Sequence, residues 1–272
     1  MAANIPSTYF LRENKNTFIF LSAVVAVLMT GMSGLGLIFP DLFYPTSEIT
    51  EMFLSNDLVN ILIGTPFFLV SLIYIKQGKM IGALLLPGAL IYVIYNYFAY
   101  LLGTPFSWST VGYLLLVFLG VLALFLLLRS INHNEVKVAL EGRVADKFSG
   151  WVLVIFGLAF IGLALSEIVP GILDGSIPPL CEKAVSAADI LVSLGWISGG
   201  TLLLRRKAPG YSLGLGFLMA ASSLFIGLIL YFFFAPILTG RAFDWTEVLT
   251  ILIMGMICFV PTALYSRGIN RS

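Results

Sequence analysis

The sequence predicts an all-α integral membrane protein whose eight transmembrane helices form two parallel four-helix repeats. Three observations lead there. Apolar residues make up 59% of the chain and charged residues 11%, against about 25% charged in an ordinary soluble domain. The apolar residues gather into eight continuous runs. Lysine and arginine then fall almost entirely into alternate loops between those runs.

A hydrocarbon core about 30 Å thick takes about 20 apolar residues as a helix. The runs lie at roughly 18–39, 57–75, 80–102, 111–128, 150–172, 187–204, 212–236 and 246–265. Each is expected to be helical, because lipid offers no partner to an unpaired backbone group. Strands would alternate, and these runs are continuous. The first run is too long for a signal-peptide core and no small-x-small cleavage pattern follows it, so it reads as the first span. Ser22, Ala26, Thr30 and Gly34 on the first span, and Gly216, Ala220, Ser223 and Gly227 on the seventh, form seams of small residues that let helices approach closely.

Placing the N-terminus inside puts Arg12, Lys15, Lys76, Lys79, Arg129, Lys137, Arg143, Lys147, Arg205, Arg206, Lys207, Arg267 and Arg271 on inner segments. That is 13 of the 15 basic residues, with Lys183 and Arg241 outside. Positive charge marks the cytoplasmic side, so both termini are expected in the cytoplasm, with the chain in a cell inner or plasma membrane. Ten of the 14 acids run the other way: Asp41, Glu48, Glu51, Asp57, Glu167, Asp174, Glu182, Asp189, Asp244 and Glu247 sit on or near the outer face. An acidic exterior attracts cations; it is also simply where acids accumulate once bases are excluded. Tyr44, Trp108, Tyr113, Tyr231 and Trp245 outside, and Tyr74, Trp151, Tyr211 and Tyr265 inside, suit interfacial anchoring.

The halves align at an offset near 132 residues. Pro40 lies over Pro170, Asp57 over Asp189 and Gly82 over Gly214. A unit of four spans returns to its starting side, so the halves are expected to be parallel, related by an axis along the membrane normal. The division is 1–129 for the first repeat, 130–149 for a cytoplasmic linker and 150–272 for the second repeat. In the linker Val136, Leu140, Val144 and Phe148 recur every fourth residue, the stripe of a short amphipathic helix at the inner interface.

Ionisable groups inside a span are costly and mark candidate sites. Asp57 and Asp189 open the second and sixth runs, where a carboxylate either caps free amides at the positive helix end or faces a ligand. Glu167 comes near the end of its helix, where the dipole disfavours an anion, so it is expected to have a partner or face water. Tyr92, Asn96 and Tyr100 recur at four-residue spacing on the third span with Tyr95 beside them; Asp57, Asn60, Gly64 and Ser71 share one face of the second. If these faces meet, they either line a pocket open to the exterior or knit the helices together. Carboxylates beside phenol rings would suit a cationic or polyhydroxylated ligand.

Other chemistry is poorly represented. Gly31-Met32-Ser33-Gly34 matches the short rhomboid-protease motif, but that serine needs a histidine base and the one histidine, His133, lies in the linker. The same scarcity argues against bis-histidine haem and a histidine-rich metal centre. Cys181 and Cys258 suggest no disulfide framework or metal pair. No Walker or dinucleotide glycine motif appears, and no basic stripe interleaved with aromatics points to nucleic acid. Neither a cofactor nor a metal is expected.

The stretches LPGALIYVIYNYFAYLLGTPFSW, SEIVPGILDGSIPP and AADILVSLGWISGGTLLLRRKAPGY together resemble an uncharacterised family of prokaryotic eight-span integral membrane proteins. The resemblance covers most of the chain. It implies a prokaryotic plasma membrane and polar positions at Asp57, Tyr92, Tyr95, Tyr100, Glu167 and Asp189; it implies no reaction.

Three functions follow as expectations. The first is outward-facing binding or transport of a small polar or cationic solute by Asp57, Asn60, Tyr92, Tyr95, Asn96, Tyr100, Glu167 and Asp189. The second is a membrane enzyme using the carboxylates. The third is a non-catalytic scaffold subunit in the lipid bilayer whose polar groups only join helices, to which co-purification of a stoichiometric partner would point. The charge alternation carries its own test. Reporter fusions in the Ala208 loop and the Pro179 loop are expected to report opposite compartments; the same compartment would break the span count.

Overall fold

The computed structural model describes residues 10–11, 15–173, 175, 179–240 and 242–270. Of the charge pattern above, Arg12, Asp174, Arg241 and Arg271 lie outside the described residues, as does the Lys15 side chain. The described chain is helical, with a single isolated bridge between Leu11 and Ile131. The elements in order are α1 (Lys15–Ile38), the short α2 (Pro40–Phe43), α3 (Ser47–Val59), a π-turn (Asn60–Gly64), α4 (Thr65–Lys76), α5 (Met80–Gly103), α6 (Trp108–Ser130), α7 (His133–Leu140), α8 (Asp146–Leu173), α9 (Leu180–Leu204), α10 (Ala208–Thr239) and α11 (Trp245–Asn270). Counting α3, the π-turn and α4 as one, eight helices are long and apolar enough to cross a membrane, as in a multi-pass membrane protein. Their ends separate by charge. Lys76, Lys79, Arg129, Lys137, Arg205, Arg206 and Lys207 gather at one end, here the basic end; Asp41, Glu48, Glu51, Glu182 and Asp244 stand at the other, the acidic end.

Two helices start well before their apolar runs, by ten and seven residues. The second begins at Ser47, where the Thr46 hydroxyl accepts from the Ile49 amide; the sixth begins at Leu180 behind Pro179. The segment Ser47–Asn56 is too polar to count as a lipid-facing run, yet Ile49, Phe53, Leu54 and Ser55 are buried within the protein. Protein packing, not lipid, stabilises that first stretch. The π-turn lies just before Pro66, which has no N–H to give Leu62 and whose ring crowds that carbonyl. The helix widens there, and the Thr65 amide reaches back five residues to Asn60.

Lipid supplies no hydrophobic drive between helices, so close packing does the joining. α5 is the most enclosed span and packs against α4, α6, α9 and α10. Its contact with α10 falls at Gly88 and Gly216, where a Cβ on Gly88 would collide with the Gly216 carbonyl and a Cβ on Gly216 would lie 3.0 Å from the Gly88 nitrogen. Gly150, Gly157 and Gly200 bring α8 equally close to α9.

The turns after α4 and α9 are built alike. Gln77, Gly78, Lys79 and Gly82 donate to Ile73, Ile75, Tyr74 and Lys79, and Arg205, Arg206, Lys207 and Gly210 donate to Thr201, Leu203, Leu202 and Lys207. Both are Schellman turns with a left-handed residue, Gly78 at φ 72° and Arg206 at φ 52°. Gly82 and Gly210 each sit against the end of the preceding helix, whereas Gly214 meets the Tyr265 ring. Gly82 and Gly210 thus hold like places, and the two hairpin turns match at an offset of 128 residues.

The linker stripe also turns inward. Val136, Leu140 and Val144 are buried, with α7 on α10 and Val144 against Gly268, while Phe148 belongs to α8 and is 47% exposed. Protein rather than the membrane interface covers the first three. Nearby, Asp146 accepts from Tyr211 at 2.9 Å and pairs with Arg206 at 3.4 Å.

The Gly88 contact predicts opposite signs for one substitution. Alanine for glycine inside a helix ordinarily gains roughly 0.5–1 kcal/mol. Gly31→Ala, with nothing near its Cβ, is expected to hold or raise the thermal midpoint in detergent. Gly88→Ala is expected to lower it, because backbone is the obstacle.

Candidate functional site

A cavity of about 670 Å³ lies where α3, α5, α8, α9, α10 and α11 meet. That is within the ~300–1,000 Å³ usual for small-molecule sites. α5 contributes Tyr92, Tyr95, Asn96 and Ala99, and α3 contributes Met52, Phe53, Asn56 and Val59. Phe160 and Glu167 come from α8; Glu182, Val185 and Trp196 from α9; Leu224, Phe225, Leu228, Tyr231 and Phe232 from α10; Glu247 from α11. Three carboxylates thus share the wall, and among the described residues no lysine, arginine or histidine lines it.

Neither expected cap is one. Asp57 lies ten residues into its helix and Asp189 nine, about 15 and 13 Å from the helix starts at 1.5 Å per residue. Asp189 is half-buried, and its Oδ1 accepts from the Tyr95 hydroxyl at 2.9 Å, which ties α9 to α5 behind the cavity wall. Glu167 is exposed and accepts from Ser186 at 2.6 Å, so it has a partner as its position called for.

The faces of the second and third spans do meet, but most of that contact is filled. Asp57 is 1% exposed. Its Oδ1 accepts from Tyr100 at 3.0 Å, its Oδ2 accepts from Tyr44, and Gly36 is pressed against it, leaving no room for a Cβ. Burial, and then the neighbouring Asp57 carboxyl, push the Tyr44 phenol well above its ordinary value, so it stays protonated and donates. Asn60, displaced by the π-turn, accepts from Tyr92 at 3.0 Å and donates to Ser33 at 3.1 Å; Ser33 pairs with Tyr97 at 2.8 Å. Asp57, Asn60 and Tyr100 therefore stand behind the cavity rather than in it. Ser33, the serine of the rhomboid-like motif, is bonded to a tyrosine and an amide, while His133 pairs with Ser212 at 2.9 Å.

Three residues belong to both regions, Asn56, Tyr92 and Asn96. Asn56 lines the cavity, and its amide donates to Asn96 Oδ1 at 3.0 Å and to the Tyr100 hydroxyl at 3.3 Å. The Asn96 amide in turn donates to the Tyr92 carbonyl at 2.8 Å. Networks of this kind hold their members in one geometry when every partner is satisfied.

The aromatic wall follows from glycine placement on α9. Gly195 and Gly199 admit the Phe217 ring on one side of the helix. Trp196, on the cavity wall, meets Phe160 edge-on at 5.5 Å, and Phe160 meets Phe225 at 6.0 Å. Trp196 is 1% exposed, and its indole N–H has no hydrogen-bond partner among the described residues. Among the same residues no three of His, Cys, Asp and Glu are grouped as a metal site.

Of the eight residues expected from sequence, Tyr92, Tyr95, Asn96 and Glu167 line the cavity and Asp189 bonds to one of them. Asn56, Phe160, Glu182, Trp196, Phe225 and Glu247 were not anticipated. A tryptophan in mid-span among three glycines was the available signal for Trp196; Phe160 and Phe225 carry none that separates them from lipid-facing phenylalanines. No family model, curated protein or solved structure matches the chain.

The network around Asp57 makes two tyrosines diverge. Tyr100→Phe removes the donor to Oδ1 and is expected to cost about 1–3 kcal/mol of stability. Tyr113→Phe, which deletes a buried hydroxyl with no well-formed hydrogen bond among the described residues, is expected to leave the thermal midpoint unchanged or higher.

Proposed function

We propose that this protein lies in a cell inner or plasma membrane with both termini cytoplasmic, and binds a small cationic solute from outside, as a receptor or the binding step of transport. The basic end then faces the cytoplasm, as the distribution of lysine and arginine favours. One observation carries the functional reading: Glu167 and Glu182 share the wall of one cavity that, among the described residues, no basic side chain lines. Carboxylates at the entrance of a low-dielectric cleft concentrate cations there. Glu167 and Glu182 are exposed, as ligand access requires. The Asp57–Asn60–Tyr100 group takes the scaffold role within the same molecule.

The two halves are read as parallel repeats about an axis along the membrane normal. Three features support this. The two Schellman turns share every hydrogen bond at an offset of 128 residues. Gly88 and Gly216, also 128 apart, touch each other. α5 packs on α9 while α10 packs on α3, the exchange of partners a two-fold axis requires.

Thermal stabilisation in detergent by an organic ammonium ion tests the functional reading. The wild-type chain is expected to gain several degrees, and Glu167→Gln/Glu182→Gln to lose most of the gain while its unliganded midpoint holds. An unchanged response in that double variant would remove the proposal.

A further inference from the structure

We infer that the cation is a protonated amine on an aromatic or comparably bulky apolar body, held with its nitrogen among the carboxylates and its body on the aromatic wall. This rests on the cation-binding reading above and narrows it.

The cavity is long and its chemistry is graded. Glu182 and Trp196 are 14 residues apart on α9, about 21 Å along the axis. Glu167 and Phe160 on α8 are separated by seven residues in the same sense, about 10 Å. Charge is therefore confined to one end. Away from it, the accessible wall is Phe160, Leu224 and Leu228, with Trp196 and Phe225 closing it behind.

The deep polar groups are already engaged, except the buried Trp196 indole N–H. The Asn96 amide donates to the Tyr92 carbonyl, and its oxygen accepts from Asn56. The Tyr92 hydroxyl is given to Asn60 and the Tyr95 hydroxyl to Asp189. A sugar or polyol entering this end would lose its water and find few partners, which is costly. A hydrated metal ion would leave most of the volume unfilled and meet no three grouped carboxylates among the described residues. An apolar body meets neither obstacle, and a ring beside phenylalanine and tryptophan gains edge-to-face contact. Near Phe160 or Tyr231 a cationic nitrogen gains from the ring face as well.

The other half of the bundle illustrates the same solution when filled from within. There Asp57 accepts from the hydroxyls of Tyr44 and Tyr100, and the rings of Tyr97, Tyr100 and Tyr113 pack together beside it at 5.2 to 5.9 Å. A carboxyl is met by donors carried on aromatic bodies. An aromatic ammonium ion would repeat that pairing at Glu167 with a ligand in place of tyrosine.

The experiment is a binding series on the full-length chain in phosphatidylcholine nanodiscs, read by calorimetry and by the tryptophan emission shift. The probes are 2-phenylethylammonium, ethylammonium, sodium ion and neutral 2-phenylethanol. 2-Phenylethylammonium is expected to bind at least tenfold more tightly than ethylammonium and than 2-phenylethanol, with Phe160→Ala erasing the advantage over ethylammonium. Should that variant fail to fold, Leu224→Ala supplies the same comparison. Equal affinity for ethylammonium or sodium would overturn the inference and leave the cation reading standing. Equal affinity for 2-phenylethanol would overturn both, since charge would then not be recognised; no binding by any cation would do the same. A lipid amine carries the same chemistry. Loss of 2-phenylethylammonium binding when phosphatidylethanolamine replaces phosphatidylcholine would assign the cavity to lipid and overturn the soluble amine.

Discussion

The approach of α5 to α10 at Gly88 and Gly216 is the contact on which the rest of the architecture depends. Burying apolar surface drives little association between helices whose alternative surroundings are hydrocarbon. Dispersion at short range and polar pairing must do it instead, and both need backbones brought together. With the two glycines in contact, α5 stands between the halves and its side chains divide. Tyr92, Asn96 and Tyr100 bond toward α3 and the π-turn, while Tyr95 bonds across to α9. Filled network and open cavity are the two sides of one helix.

Carboxyl groups within the eight long helices meet two different fates. Asp57 is sealed in by phenol hydroxyls and a glycine, its hydrogen-bonding capacity met from inside the chain. Glu167 and Glu182 are exposed along a cavity wall with no cation beside them in that wall. A carboxyl at the centre of a span costs about 2.5–3.5 kcal/mol on insertion scales. Such a cost is offset locally in the first case. In the second the carboxyl stays at the protein surface, and Glu167 takes a hydrogen bond from Ser186.

Apolar run length reads the eight long helices well and their starts poorly. Ser47–Asn56 was excluded from the second span because its composition would be costly against lipid, yet its apolar residues are buried against protein. Asp57 consequently reads as a cap in the sequence and is an interior residue, about three turns from the true cap at Thr46. The linker stripe failed in a related way. Val136, Leu140 and Val144 have the spacing of a membrane-surface helix, and the same spacing serves a helix lying on the end of a bundle. Hydropathy measures the wish to leave water; it does not distinguish lipid from protein as the destination.

The sequence by itself determined the number and approximate place of the long apolar helices, the segregation of charge to their ends, and a polar face on the third that had to meet something. These follow from each residue's own solvation, which is local. Only the tertiary structure decided that Tyr95, Asn96 and Glu167 share a cavity with Trp196 and Phe160 while Asp57, Asn60 and Tyr100 do not. It also decided the 128-residue offset between the two hairpin turns. Those outcomes depend on which helix faces meet, and in an apolar chain that is set by small residues and turn geometry, whose consequences appear only once the helices are packed.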